Sequence, residues 1–325
     1  MPDSKNVLIL HSDVAPGAPP DEQDTLWTVD AVKDALCGRG YGVATAAFAP
    51  APEHLRALLD THKPDTVFNL VESVFGLGQF AIVAAQMLEM CNVPFTGNPG
   101  GAMALAGDKP LTKQFLRRLG LPTAHWVEGP HWDGLDPARV YVVKHATEDA
   151  SVGMTDDSVV SGERVAARAA QLTAAHGGRW FAEEYLAGRE FNVSCIEIDG
   201  RPRVLPVPEM RFDNWPEDRP RLVNWAAKWD EEHPDLSNTN RDFESAKNTP
   251  LAAQLTGLVE DCWNNFGLRG FARIDFRCGA DGSPNILELN PNPCLESGAG
   301  LAAAAAQIGM DYADLCEAIL AAAIH

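Results

Sequence analysis

Two short segments decide how the chain is read: Phe271-Ala272-Arg273-Ile274-Asp275-Phe276, and Asn285-Ile286-Leu287-Glu288-Leu289-Asn290 running into Pro291-Asn292-Pro293. Each alternates apolar and polar residues, and Gly279-Ala280-Asp281-Gly282-Ser283 supplies turn chemistry between them, so the pair predicts a β-hairpin. Side chains two apart share a face of a strand, which groups Arg273 with Asp275 and Glu288 with Asn290. Two carboxylates and an amide oxygen offer hard ligands for Mg²⁺, an ion that keeps its remaining positions for water and nucleotide phosphates. A merely solvated outer face explains one such polar position more readily than four that match across two strands.

Working outward, Lys144 ends the apolar run Val140-Tyr141-Val142-Val143, and Lys109 opens a helical pattern after Gly107-Asp108. Either lysine alone reads as a solvated end or a snorkelling stem. A polar turn, residues 148–153, follows Lys144; its free backbone N–H groups suit phosphates, and the two lysines together suggest a nucleotide clamp. Gly76-Leu77-Gly78-Gln79-Phe80-Ala81 satisfies a G-x-G-x-x-A pattern, but it follows the third strand and no acidic residue ends the next one, so a glycine turn is preferred to a dinucleotide site. No G-x-x-x-x-G-K-[ST] occurs.

Ahead of these motifs, strands near 5–10, 42–48 and 65–71 alternate with helical spacing near 24–36, 52–62 and 80–90, which predicts a parallel α/β sheet. Further elements are expected at 109–119, 190–198, 203–207 and 252–266, with two alanine-rich helices closing the chain. Three domains follow from this pattern: 1–97, an N-terminal α/β domain; 98–183, a central subdomain; and 184–325, a C-terminal subdomain with the metal ligands. Residues 211–247, polar and bearing Trp215, Trp225 and Trp229, read as an irregular active-site lid or a disordered surface loop.

Composition narrows the function. With 26 Lys plus Arg against 45 Asp plus Glu, the formal charge of −19 repels a phosphate backbone, and nucleic acid is discounted. No apolar run approaches the ~20 residues of a membrane span, and none resembles a secretory leader. Seven scattered cysteines without a C-x-x-C pair suit reduced thiols in the cytoplasm.

The motifs together resemble the D-alanine–D-alanine ligase branch of the ATP-grasp superfamily. The resemblance rests on Gly107-Asp108-Lys109 with Lys113; Val143-Lys144 through Ser151-Val152-Gly153-Met154; Glu183-Glu184-Tyr185-Leu186-Ala187-Gly188-Arg189-Glu190-Phe191; Arg273-Ile274-Asp275; Glu288 through Pro293; and Phe95-Thr96-Gly97. It implies an ATP-grasp fold, an N-terminal parallel α/β domain followed by two α+β subdomains that sandwich ATP. By the same resemblance Lys109 and Lys144 hold the phosphates, Ser151 and Gly153 cover them, Glu183, Glu184 and Leu186 line the adenine pocket, and Glu190 meets the ribose. Asp275, Glu288 and Asn290 would bind two Mg²⁺, with Mn²⁺ as the alternative metal, while Arg273, Ser151 and Lys228 would be catalytic.

Departures fall on the substrate side. Ala150 and Ala299 stand where the family carries serines, Trp229 stands where it carries a tyrosine beside Lys228, Cys294 replaces a glycine, and Glu296 is an added charge. Asn69-Leu70-Val71-Glu72-Ser73 replaces a histidine- and glycine-rich loop. Asp21, Glu22, Glu72, Cys294, Glu296 and Ser297 are the expected substrate residues, although Glu296 also suits a helix start. The resulting expectation is an ADP-forming ligase that joins a small carboxylate to an amine through an acyl phosphate, with substrates other than D-alanine and a homodimer as the family's assembly. A regulatory ATP-binding protein without ligation is the alternative; Arg273 argues against it, unless that residue is only a structural ion pair to Asp275 or Glu288.

Overall fold

The computed structural model describes residues 5–148, 151, 153–224, 227 and 233–324; the side chain of Asp21 and the whole of Ala150, Trp225, Lys228 and Trp229 lie outside the described part. Three sheets organise these residues. The first is parallel, β1 (Asn6–His11), β2 (Gly42–Ala47) and β3 (Thr66–Leu70), in the order β2-β1-β3. β1 is buried over four consecutive residues, as a strand covered on both faces must be. Helices Pro20–Gly38 and Pro52–His62 each begin with proline, whose fixed φ and missing N–H are harmless in the first turn. Phe95 continues the sheet edge beside Val67 and pairs on its other side with Ile324, so the far end of the chain returns to the first sheet.

The second sheet is antiparallel: β4 (Trp126–Glu128), β5 (Val140–His145), β6 (Val159–Ser161) and β7 (Trp180–Glu184), ordered β4-β7-β5-β6. Helix Val165–His176 covers it, and Tyr141, Val143, Val165, Leu172 and Trp180 form its core. The third sheet holds β8 (Glu190–Ile198), β9 (Arg201–Val204), β10 (Glu209–Phe212), β11 (Thr239–Asp242), β12 (Phe271–Cys278) and β13 (Pro284–Asn290). Helix Pro250–Phe266 packs on it, while Val7, Val32 and Leu36 share a core with Leu301, Leu315 and Ile319 and fasten the first sheet to the third. Among the described residues no helix is long and apolar enough to cross a membrane.

The hairpin forms as expected, and its register opposes Arg273 to Asn290 and Asp275 to Glu288 before a bulge that leaves Leu287 extra. The stretch 211–247 differs from its reading as irregular chain. It contains the pairing of β10 with β11 and the short helix Pro234–Asn238. β11 is a four-residue polar edge strand, Thr239-Asn240-Arg241-Asp242, which has no apolar alternation to betray it. The strand expected at 203–207 instead spans Arg201–Val204, set by a turn at Asp199 and Gly200, whose φ of 51° and 74° fit a two-residue hairpin.

Candidate active site

Helix Lys109–Arg118 starts at Asp108, whose carboxylate accepts from Leu111 N at 3.0 Å. Its first turn places Lys109 and Lys113 four residues apart on one face. Lys113 is fully buried and pairs with Glu183 of β7, which is equally enclosed; Lys113 Nζ also donates to Thr123 Oγ1 at 2.9 Å. Lys144 reaches the other oxygen of Glu183 at 2.7 Å from the neighbouring strand β5. Lys109 lies 3.7 Å from Glu288 of the hairpin and donates to the Glu148 carbonyl at 3.0 Å.

Among the described residues Lys113 and Lys144 thus share Glu183, and Lys109 lies beside Glu288. Burial opposes ionisation of Glu183, but Lys113 and Lys144 outweigh it and hold the carboxyl below its usual value. Burial likewise works against Lys144, and the Glu183 and Glu288 carboxylates reverse it to a net upward shift. Lys113, the most enclosed, is pushed down by burial. A wall of preorganised cations is suited to phosphate.

On the hairpin, Arg273 grips Asp275 with two hydrogen bonds of 2.7 and 2.8 Å, and Asn290 Nδ2 donates to the same carboxylate at 3.1 Å. Among the described residues no group of three or more His, Cys, Asp or Glu gathers for a metal. Asp275 and Glu288 with the Asn290 amide fit Mg²⁺ all the same, because that ion takes one or two carboxylates plus phosphate oxygens more readily than an all-protein cage.

The remaining nucleotide-side residues have clear local partners. Glu184 is held by Arg139 at 2.8 Å and Glu190 by Arg277 at 2.5 Å, while Leu186 is half-buried on the segment between β7 and β8. Ser151 donates to the Val223 carbonyl at 3.0 Å, tying the turn after β5 to the segment before β11. Gly153 has φ 65°, and a Cβ there would meet the His176 and Trp180 rings at 2.9 and 3.0 Å, so this turn needs glycine. Val74 and Leu77 exchange two hydrogen bonds around Phe75 and Gly76, so the G-x-G-x-x-A segment is a tight turn, from which Gly78 N donates to the Glu148 carboxylate at 2.8 Å.

Around the residues expected on the substrate side, the structure brings together a partly different set. The Cys294 thiol donates to Asp24 at 3.0 Å, and Thr25 donates to Glu72 at 3.2 Å. Burial, then Asp24 and Glu72, push the Cys294 thiol well above its usual value; burial and Glu296 raise Asp24 against the pull of the Cys294 hydrogen bond. Asp24 was not singled out from sequence, where Asp21 and Glu22 were; its place on the inner face of helix Pro20–Gly38, beside buried Thr25 and Thr28, was the available signal. Glu22 is half-buried, and Asp21 and Lys228 fall outside the described side chains. Glu296 is engaged within its own turn, accepting from Ser297 Oγ at 2.9 Å and Gly298 N at 2.6 Å. Lys113 and the lysine-bridging position of Glu183 were also missed as a unit, although the i, i+4 spacing of Lys109 and Lys113 was visible.

Residues 140–321 match the family model described as D-ala D-ala ligase C-terminus. A D-alanine–D-alanine ligase of Bordetella pertussis is 31% identical over 242 residues, covering 73% of this chain and 72% of that protein. The chain belongs to the D-alanine–D-alanine ligase family. Another ligase of the family, from Haemophilus influenzae, is 30% identical across 89% of this chain and 93% of its own length. The fold is that of the Bacillus anthracis D-alanine–D-alanine ligase solved with ATP, at TM-score 0.74, 17% identity and coverage of 98% and 97%. The protein therefore has the ATP-grasp fold and is an ATP-dependent, ADP-forming carboxylate–amine ligase.

Proposed function

We propose that this ligase activates an amino acid or small peptide other than D-alanine and joins it to an amine. The observation that carries the substrate reading is the Cys294–Asp24 hydrogen bond of 3.0 Å beside Glu72, a thiol and carboxylates at the rim where the family's pattern has a glycine after the proline. The relatives' names put D-alanine first among the compounds to test.

In this reading Lys109 and Lys144 neutralise phosphate oxygens, and Asp275, Glu288 and Asn290 would hold two Mg²⁺, or Mn²⁺, which would supply further charge neutralisation. Ser151 and Gly153 cover the phosphates, and Glu183, Glu184, Leu186 and Glu190 shape the nucleotide pocket. The substrate carboxylate attacks the terminal phosphorus and ADP departs. The amine then attacks the acyl carbon, phosphate leaves, and the amine's proton is lost as the amide forms. Arg273 stabilises the oxyanion of that second addition; its pairing with Asp275 keeps the guanidinium in place before charge develops. Lys228 belongs to the same set. Asp24, Glu72 and Cys294, with Asp21, Glu22, Glu296 and Ser297 nearby in the chain, define the substrate rim. Water has to be kept from an acyl phosphate, and the 211–247 segment, fastened through Ser151, suits that task. A homodimer is the proposed assembly.

The test is phosphate release with ATP and Mg²⁺ across D- and L-amino acids and dipeptides, with D-alanine included. Release by other members, with D-alanine slower by tenfold or more, is the expected outcome; D-alanine as the best substrate would refute the substrate reading while leaving the ligase chemistry intact.

A further inference from the structure

His145 ends β5 directly after Lys144 and is buried, although its ring carries two polar nitrogens. Its Nδ1 accepts from two consecutive backbone N–H groups, Thr147 N at 3.2 Å and Glu148 N at 3.0 Å. A ring nitrogen that accepts carries no proton, so the imidazole stands in its neutral Nε2–H form. The Trp180 ring meets it edge-on with centroids 5.0 Å apart. Gly178 leaves the ring its room, since a Cβ there would collide with Nε2. Space-filling against Trp180 accounts for a buried ring, but not for a nitrogen aimed at two N–H groups of the next turn.

That turn is a junction. The Ala146 carbonyl accepts from Lys109 N at 2.9 Å and the Glu148 carbonyl from Lys109 Nζ at 3.0 Å, so both ends of Lys109 rest on it. On its other side Thr147 Oγ1 donates to Gln79 Oε1 at 3.1 Å, and the Glu148 carboxylate accepts from Gly78 N at 2.8 Å, which docks the 76–81 turn that follows β3. Part-buried N–H groups that lose their acceptor must find water or change the turn, and either outcome moves what the turn holds. We propose that His145 is a positioning residue for ATP: through the 146–148 turn it fixes Lys109, and with it the place of the nucleotide phosphates. This rests on the reading of Lys109 as a phosphate-holding residue. His145 acts through the turn, not on the reacting atoms.

The experiment is calorimetric binding of a non-hydrolysable ATP analogue with Mg²⁺, with adenosine as the phosphate-free probe. His145→Leu keeps apolar bulk against Trp180 but has no acceptor. His145→Asn loses the ring but keeps an oxygen close to the place of Nδ1, whereas His145→Gln carries its oxygen one bond too far. His145→Leu should weaken the analogue about 5- to 30-fold, the scale of two ordinary hydrogen bonds, while adenosine stays within about twofold. His145→Asn should regain most of that affinity and His145→Gln little of it, a contrast that decides the matter even if His145→Leu fails to fold. His145→Asn binding no better than His145→Gln would make the ring a packing residue and overturn the assignment. Lys109→Met supplies the reference for the underlying reading. If it weakens the analogue while His145→Leu binds like the native protein, the positioning role is wrong and the phosphate reading stands. If Lys109→Met itself binds like the native protein, the phosphate reading fails, and the role built on it fails with it.

Discussion

The two walls of the cleft are built differently. The wall proposed to face phosphate stands on regular structure: Lys109 and Lys113 on one helix turn, Lys144 and Glu183 on adjacent strands, Asp275 and Glu288 opposed in a hairpin. Lys113 and Glu183 are 0% and 1% exposed, so each charge there is held by another charge. The rim proposed to face the substrate stands on a helix start and turns, with Glu72, Cys294 and Glu296 only half-buried. A wall fixed by ladders and buried charge tolerates little substitution, whereas a rim on loops can change its chemistry without disturbing the fold.

If that contrast is right, substitutions in the wall should act on chemistry and stability and those at the rim on selectivity. The largest effect belongs to Glu288→Gln, which should lower turnover more than about a hundredfold, on the scale of removing one strong transition-state contact. Its thermal midpoint should stay within a few degrees of the native value, because Glu288 is 23% exposed and its contact with Lys109 is a long 3.7 Å. Near-native turnover would mean that Glu288 does not serve the metal.

Glu183→Gln tests the wall's stability. Removing the shared carboxylate strands two buried lysines, and the loss should be roughly 3–5 kcal/mol, read by denaturant unfolding at pH 7. The folded pKa of Glu183 lies below its usual value, so its contribution is present above the unfolded pKa of about 4.5 and disappears as pH falls through the depressed folded value. The gap between native and variant protein should therefore narrow below pH 4.5. A gap that widened on acidification would contradict the charge assignment.

How much of this was legible differs between the walls for the same reason. Alternation in β12 and β13 announces Arg273, Asp275, Glu288 and Asn290 because period two is a strong local signal. Glu183 meeting two lysines depends on β7 lying beside β5, and no local pattern reports that pairing. Asp24 meeting Cys294 needs helix Pro20–Gly38 to dock against a turn some 270 residues away. The strands at 126–128, 159–161 and 180–184 and the helix Val165–His176 went unread, since the first two strands are three residues long and the helix is alanine-rich on every face.

A smaller effect is expected where the two walls are joined. Arg219 pairs with both Asp156 and Asp235 and lies 4.3 Å over the Trp215 ring, fastening the segment before β11 to the central sheet's side of the cleft. Asp156→Asn should speed trypsin cleavage after Arg221 by several-fold and hydrogen exchange there likewise; equal rates would show that this contact does not restrain the segment. Smallest is the response of Cys294 to iodoacetamide at pH 8.5. With its thiol pushed up by burial and by Asp24 and Glu72, it should alkylate far more slowly than exposed Cys37, as peptide mass mapping would show. Rapid alkylation of Cys294 would mean that the rim is open and weakly charged.

The most direct test of the central claim follows oxygen atoms. The best substrate from the amino-acid panel, labelled with ¹⁸O in its carboxylate, is turned over with ATP and Mg²⁺, and the released phosphate is weighed by mass spectrometry. Attack by the carboxylate on the terminal phosphorus, followed by displacement of phosphate by the amine, predicts one labelled oxygen in each inorganic phosphate and none in ADP. Unlabelled phosphate, or label appearing in AMP, would contradict the acyl-phosphate route.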